Sequence, residues 1–459
     1  MNIAPIISKA EGNAKASLAR LFELLRIPSI STDPAYAKDC EDAANWLVKE
    51  LSALGFMAKA HATLGRPMVV AHFTPKESTA QTPHALFYGH YDVQPVDPPA
   101  LWSSKPFEPE IRGGKLYGRG TSDDKGQLMT FVEAARAWIE TTGDLPIRAT
   151  FLIEGEEESG SPSLVPFLKA HKAELACDVA FVCDTNMWDD KTPAITTRLR
   201  GLVHEEVEVT GPSLDLHSGL YGGPARNPIK ALSAMIAALH DKNGKVTIPG
   251  FYAGVAPLPN ATKKQWAALK LSEKKLLASI GLKSLAGEKG FSLLEQTWAR
   301  PTAEVNGMWG GYTGVGTKTV LPAKASAKFT FRLVGKQNPQ KILKAFQAFC
   351  RKHMPADAKV TFSGKGGGAP ASEVPENNPY IKKSAAALKE EWGNEAVLMG
   401  SGGSIPIVRH FKDILGMDSV LVGFALNDDA IHSPNEKYNL TSFERGVKSW
   451  VRIMGALAK

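Results

Sequence analysis

Five polar clusters in the chain hold the residue types that metal binding and acid–base chemistry require. They are Gly89-His90-Tyr91-Asp92-Val93, Gly118-Arg119-Gly120-Thr121-Ser122-Asp123-Asp124-Lys125-Gly126, Glu154-Gly155-Glu156-Glu157-Glu158-Ser159-Gly160-Ser161, Cys183-Asp184-Thr185 and Ala430-Ile431-His432-Ser433-Pro434-Asn435-Glu436. Imidazole together with carboxylate suits zinc, manganese or cobalt, whereas calcium takes oxygen alone. Two such metals, about 3.5–4 Å apart, need a bridging carboxylate and further ligands on each side. One bridge plus one histidine and one carboxylate per metal meets that demand, and the remaining carboxylates are then available to move protons.

Other chemistries do not match the residues. No serine stands in a G-x-S-x-G elbow. The stretch Gly311-Tyr312-Thr313-Gly314-Val315-Gly316-Thr317-Lys318-Thr319 places Thr317 where a phosphate-binding loop needs lysine. Gly118-Arg119-Gly120 lacks the third glycine of a dinucleotide turn. A glycosidase pair could use Glu157 or Glu158, but it would leave His90 and His432 unexplained.

Each cluster follows an apolar run, so the elements that position the clusters can be read from periodicity. Helical spacing covers Leu18–Leu25, Glu41–Leu54, Lys125–Ile139 and Ser163–Ala176; strand-like runs cover Pro67–Phe73, His84–Tyr88, Ile147–Ile153 and Asp178–Cys183. Alternation of this kind predicts an α/β fold with a mostly parallel sheet and helices on both faces. Ligands in such sheets bind beyond the carboxyl ends of strands, where these clusters fall.

The middle of the chain has a different rhythm. Val203, Val207 and Val209 alternate with His204, Glu206 and Glu208, and Ala325, Ala327, Phe329 and Phe331 alternate with polar residues. One wet face marks an antiparallel sheet, and helical patterns at Ile229–Leu239 and Gln340–Phe349 accompany it. The reading is a discontinuous first domain, 1–202 and 378–459, interrupted by an inserted α+β domain, 203–377. Helix (Tyr380–Glu391), strand (Ser419–Leu426) and helix (Ser442–Ala458) then resume the first theme. Gly364–Gly368 reads as a loop, and the lysine-rich stretch Lys263–Lys289 as a solvated helix face.

Composition narrows the class. The chain has 459 residues, 43% of them hydrophobic and 22% charged, enough apolar content for full cores and too little charge for disorder. The net charge of +7 is spread along the chain, so nucleic acid is not an expected partner. Apolar runs are too short to span a membrane, and Met1 to Arg20 lacks the basic-then-apolar pattern of a secretory signal. Cys40, Cys177, Cys183 and Cys350 show no C-x-x-C spacing and read as free thiols. The expectation is a cytoplasmic protein.

Taken together, the motifs resemble the co-catalytic zinc metallopeptidase family of carnosinases, aminoacylases and glutamate-releasing carboxypeptidases. The carnosinase-like cytosolic dipeptidases look nearest. The resemblance is carried by His90-Tyr91-Asp92-Val93-Gln94-Pro95, by Gly118-Arg119-Gly120 running into Asp123-Asp124-Lys125-Gly126, and by Glu157-Glu158-Ser159-Gly160-Ser161. Asp215-Leu216-His217-Ser218-Gly219-Leu220-Tyr221-Gly222-Gly223, Gly402-Gly403-Ser404-Ile405-Pro406 and His432-Ser433-Pro434-Asn435-Glu436-Lys437 extend it, so that it runs from about Phe22 to Trp450.

The resemblance implies a two-metal hydrolase that cleaves the amide bond of dipeptides or short peptides with a free C-terminal carboxylate, using metal-activated water. It implies two divalent ions per subunit, Zn2+ first, with Mn2+ or Co2+ as alternatives. Asp123 would bridge them, His90 and Asp184 would complete one, and Glu158 and His432 the other. Glu157 would be the general base, and Asp92 would orient His90. The inserted domain would be a dimerising lid in a homodimer, with His217 reaching the neighbouring subunit's site as an oxyanion donor. Thr319 would lie near substrate, Arg332 would grip the substrate carboxylate, and Ser404 would contact the same end. Ser401 stands where these dipeptidases have an acidic residue suited to reading a free amine. That departure keeps an N-acyl-amino-acid deacylase or a glutamate-releasing carboxypeptidase as the alternative. A scaffold that had lost its chemistry should lack a ligand or the base, whereas all seven residues are present.

Overall fold

The computed structural model of the chain describes residues 2–269, 271–362, 368–403 and 405–459. Two compact units form: Met1–Thr197 with Val374–Leu398 and His410–Lys459, and Arg198–Glu373 with Met399–Arg409. The segment Met399–Arg409 therefore clusters with the second unit, although it lies well after residue 377.

In the first unit, strands run side by side in the order Met57–His61, Met68–Phe73, Arg148–Glu154, His84–His90, Val179–Val182 and Asp418–Leu421. The last four pair in parallel, and the first two join them antiparallel at one flank. Thr196 pairs antiparallel with Leu421 at the other. The sheet is thus parallel at its centre, as the mostly parallel sheet expected from sequence requires, with antiparallel strands at its flanks. The short link between Met57–His61 and Met68–Phe73 can reach only an antiparallel neighbour, because a parallel pair needs a long crossover. His84–His90 is buried at every position after His84, as a central parallel strand covered on both faces should be.

Phe87 sits at the middle of the core, 5.4 Å from the Phe151 and Phe181 rings and 5.6 Å from Trp450. Each such fully buried side chain contributes about 1.5–3 kcal/mol relative to exposure. The helix Lys125–Thr142 packs on Leu440–Leu457, and Trp450 Nε1 donates to Thr130 Oγ1 at 3.0 Å between them. Gly143, at φ 72°, ends the first of these helices in the left-handed conformation that glycine adopts without strain.

Three sequence readings change in detail. The helix expected over Ser163–Ala176 forms only at Leu164–Ala170. The strand expected over Ser419–Leu426 stops at Leu421; beyond it Gly423 is pressed against the backbone of Thr185 so closely that a Cβ there would lie 2.0 Å from its oxygen. The lysine-rich stretch is not one helix face. It folds as Asn260–Ala268 and Glu273–Ser279, the second started by Ser272, whose Oγ accepts from the Lys275 N–H. Of the glycine loop 364–368, residues 364–367 lie outside the described residues.

The second unit is an antiparallel sheet in the order Thr302–Gly310, Lys324–Leu333, Gly201–Thr210, Lys359–Phe362, with Gly368–Ala369 also pairing to Gly201–Thr210. Val203, Val207, Phe329 and Phe331 point to a core shared with Leu232 and Phe346. Those last two residues belong to the helices Pro228–Ala237 and Pro339–His353. Both helices start the same way, with an asparagine cap before a proline: Asn227 Oδ1 accepts from Ile229 N–H and Asn338 Oδ1 from Lys341 N–H. Proline at the first helical position needs no hydrogen bond there, and the cap satisfies a donor that it leaves free.

Candidate metal centre and substrate-side residues

Two triads of ligand-type atoms come together in the first unit, His90–Asp123–Asp184 and Asp123–Glu158–His432, with the atoms of each within 4.8 Å of one another. Their geometry follows from the strand ends. His90 closes its strand, Glu157 and Glu158 begin a short turn just after Arg148–Glu154, and Asp184 follows Val179–Val182. Asp123 belongs to both triads, and its two oxygens divide between them. Oδ1 lies 3.1 Å from His90 Nε2, and Oδ2 lies 3.0 Å from His432 Nε2. Asp184 Oδ2 is 3.9 Å from His90 Nε2, and Glu158 Oε2 is 3.2 Å from His432 Nε2.

A surrounding cage fixes these side chains. His90 Nδ1 lies 3.0 Å from the Asp92 carbonyl oxygen. A carbonyl only accepts, so Nδ1 carries the hydrogen and Nε2 is left as the ligand atom. The Asp92 carboxylate accepts from the N–H groups of Glu157 (3.2 Å) and Glu158 (3.0 Å), so one residue positions both the histidine and the glutamate turn. Gln94 Nε2 donates to Glu158 Oε2 at 2.8 Å.

Glu436 does the same for the Asp123 loop. Its Oε1 accepts from Ser122 and Asp123 N–H at 2.8 and 3.1 Å, and its Oε2 from Gly120 N–H at 3.1 Å and Arg119 Nη1 at 2.6 Å. His432 itself has φ 60°, flanked by Ala430 at 56° and Asn435 at 63°. Non-glycine residues hold such conformations, at about 1–3 kcal/mol each, only where neighbours over-determine them. Asn435 is held by Ser103 N–H and the Leu101 carbonyl.

Electrostatics show what the triads suit. Burial works to raise the Asp123 pKa, but hydrogen bonds from His432 and His90 outweigh it and hold the carboxyl below its usual range. Hydrogen bonds to Asp123 and Glu158 push His432 up to about 10. Burial, and then the neighbouring Asp123 carboxylate, push Asp184 up to about 7. Burial raises Glu157 to about 8; His90 opposes the shift, while Asp184 and Glu158 add to it. Carboxylates crowded in a largely buried site with His432 exposed at its edge, mixed with imidazoles and sharing one two-sided carboxylate, form a donor set that fits a pair of divalent cations.

Sequence reasoning did not single out Asp124, Gln94, Asp429 or Glu436. Asp124 Oδ2 accepts from His90 N–H at 3.1 Å, and a Cβ at Gly89 would fall 2.7 Å from that oxygen, so only glycine fits there. Asp429 joins Ser122 Oγ to Lys437 Nζ. The available signal was position: Asp124, Gln94 and Glu436 stand inside the same motifs as the candidate ligands, and Asp429 directly precedes one of them.

The residues expected to face substrate fall in the second unit. His217 and Thr319 are neighbours: His217 pairs with Val320, and Ser218 N–H donates to the Thr319 carbonyl at 3.0 Å. Both are exposed. Arg332 is half-buried on the polar face of the sheet, opposite Leu202 and Thr302. Ser404 lies outside the described residues.

The model for the family described as "Peptidase family M20/M25/M40" matches residues 86–456. The Cys-Gly metallodipeptidase DUG1 of Candida albicans is 31% identical over 97% of this chain and 96% of its own length. The human Beta-Ala-His dipeptidase is 31% identical over 81% of this chain and 74% of its own. Among solved structures, human carnosine dipeptidase 1 superposes with a TM-score of 0.80 at 27% identity, covering 99% of this chain and 98% of that one. An M20 family metallo-carboxypeptidase from Sulfolobus solfataricus gives a TM-score of 0.81 at 29% identity, covering 96% and 99%.

Proposed function

The chain belongs to peptidase family M20/M25/M40, and from that premise we propose a two-metal dipeptidase that cleaves the amide bond next to a free C-terminal carboxylate. The observation that carries the reading is the division of the Asp123 oxygens between two triads. In this reading His90, Asp184 and Asp123 hold one cation, and Glu158, His432 and Asp123 hold the other. Zn2+ is the proposed occupant, with Mn2+ and Co2+ as the alternatives that the same nitrogen and oxygen donors accept. When bound, such a pair supplies Lewis acidity to a water molecule and to the amide carbonyl.

Glu157 takes the proton of the attacking water and returns it to the leaving amine. Asp92 keeps Glu157 in place through the Glu157 N–H, so that the carboxylate is free to move a proton. His217 donates to the oxyanion that develops on the carbonyl, and Thr319 lies beside it. Arg332 pairs with the substrate carboxylate through its planar fork, and Ser404 contacts the same end.

We assign the second unit as the lid and the dimer contact. The strand Thr302–Gly310 is an edge of its sheet and exposes Val305, Met308 and Trp309; Tyr312, Val315, Leu220 and Tyr221 are exposed in the same unit. Apolar side chains on an open edge favour pairing with a second copy. Free thiols at all four cysteines support a reducing compartment, the cytoplasm. Among the described residues no helix is long and apolar enough to cross a membrane.

The test compares matched dipeptides with free and acetylated N-termini on zinc-, manganese- and cobalt-loaded protein. Preference for the free amine supports the dipeptidase. Preference for the acetylated series favours a deacylase or carboxypeptidase and points to Ser401.

A further inference from the structure

The net charge of +7 reads as spread along the chain, yet the two units divide it unequally. Arg198–Glu373 with Met399–Arg409 carries 26 lysines and arginines against 11 aspartates and glutamates, whereas the remainder of the chain carries 28 against 36. Charge asymmetry of that size between two parts of one chain points to an anionic surface as a partner. Six of the second unit's acids already pair with a lysine or arginine of the same unit.

The helix Pro339–His353 gathers part of the excess on one side. Ile342, Leu343, Phe346, Phe349 and Cys350 are buried in the core under the sheet, and Lys341, Lys344, Ala348, Arg351 and Lys352 are exposed. With about 3.6 residues per turn and about 1.5 Å per residue, the exposed set falls in an arc of about 100° and runs about 16 Å along the axis. The helix contains no aspartate or glutamate. Among the described residues none of its four exposed cations has a carboxylate partner; Glu205, on the strand beneath, is buried and accepts from Gln347 Nε2 at 2.8 Å. Arg351 and Lys352 sit in the last turn, where the helix dipole favours cations. Lys341 and Lys344 lack that reason. They stand in the first two turns, where the dipole disfavours cations, and at a spacing of three residues they repel each other. A row of cations that weakens its own helix calls for a ligand of opposite charge.

We propose that this face, with Lys230 exposed on the adjoining helix Pro228–Ala237, rests on an anionic phospholipid surface and holds the protein there peripherally. Each lysine or arginine close to such a surface adds to the attraction. Between the cations the exposed side chains are small: Ala348 on one helix, and Ser233, Ala234 and Ala237 on the other. The long cationic side chains therefore stand outermost on this layer, which suits a planar partner. Single-stranded nucleic acid needs exposed aromatic rings on which its bases stack, and the exposed positions of these two helices hold none. The apolar side of Pro339–His353 is turned into the protein core, so the contact is with lipid headgroups and not with acyl chains.

The experiment sediments metal-loaded protein with vesicles of phosphatidylcholine alone and of phosphatidylcholine with phosphatidylserine at two to one. It reads the protein in the pellet, so the outcome does not depend on the dipeptidase reading. Compared with the wild type are K341Q/K344Q, K341Q/K344Q/R351Q/K352Q and a control that removes the same charge elsewhere in the unit, K242Q/K245Q/K274Q/K275Q. The proposal expects the wild type to partition onto the phosphatidylserine vesicles at least about tenfold better than onto neutral ones. Raising salt from about 0.1 M to about 1 M, which shortens the screening length from about 10 Å to about 3 Å, should release it. The fourfold helix variant should lose about tenfold or more of that partition, and the control less than about threefold. K341Q/K344Q keeps the test open if the fourfold variant does not fold, since removing two cations from the positive end of the helix dipole should not destabilise it. It should bind more weakly with a melting temperature at or above that of the wild type. Equal partition of the wild type onto both vesicle types, or unchanged binding of K341Q/K344Q, would overturn the proposal. An equal loss in the helix variant and the control would also overturn it, by assigning the effect to net charge alone. Release from the vesicles by duplex DNA at a phosphate concentration equal to that of the lipid would assign the face to nucleic acid and overturn the lipid.

Discussion

Asp123 and Arg332 are both charged side chains on which the proposed reaction depends, and their surroundings could hardly differ more. Asp123 is buried, its N–H is held by Glu436, and each of its oxygens faces a histidine. Arg332 is half-buried on the wet face of an antiparallel sheet and lines an open cavity. His217, on a short strand, and Thr319, just before the strand that pairs with it, are exposed in the same unit. The first unit builds its site before any ligand arrives, out of strand ends, left-handed backbone and a cage of carboxylates. The second unit offers donors on an open surface, which in the proposed reading a substrate or a second subunit completes. Pre-built geometry suits charge stabilisation at the reacting atoms, whereas open donors suit recognition and release.

The largest effect that would sharpen this contrast comes from Asp123. An Asp123→Ala protein should lose turnover to below detection and fall from two bound cations per chain to one or none, read by elemental analysis after gel filtration. Retention of two cations would break the claim that one carboxylate serves both triads. His217→Ala should come next, with kcat down by about 10²–10³ and metal content unchanged, as for removal of one oxyanion donor. If His217 acts across a dimer, mixing His217→Ala with Glu157→Gln subunits should restore part of the activity; no recovery would place it in its own subunit's site.

Glu436→Gln probes the cage rather than the ligands. The amide nitrogen would face backbone N–H donors that the carboxylate now accepts, so cation affinity should fall about 10–100-fold while circular dichroism stays that of the wild type. Unchanged affinity would show that the loop holds Asp123 without it. The smallest effect belongs to the second unit's scaffold. Asn338→Ala removes a helix cap and should cost about 1 kcal/mol of stability, measured by denaturant unfolding, with metal content unaffected.

The same contrast explains what could be read from sequence. The clustering of the candidate ligands was legible because they sit in contiguous motifs at the ends of apolar runs, as with His90 after Ala85–Tyr88 and Asp184 after Asp178–Val182. Glu436 and Asp124 were in view in those motifs but carried no sign of their partners, since hydrogen bonds to backbone N–H groups leave no pattern in side-chain types. The alternation of Val203–Val209 with polar residues identified an antiparallel sheet. It said nothing of the cavity, which depends on segments around residues 240–246 and 285–306 folding back over the polar face. The mostly parallel sheet was legible, but not the antiparallel pairing at its flank, because a short link and not the strand itself decides pairing direction there.

The most direct test of the central claim is the Glu157→Gln protein loaded with metal, assayed on a free-amine dipeptide with its cation content measured in the same sample. A general base at Glu157 predicts two cations per chain and turnover reduced by about 10²–10⁴, the contribution of a positioned general base. Wild-type turnover with both cations bound would contradict it.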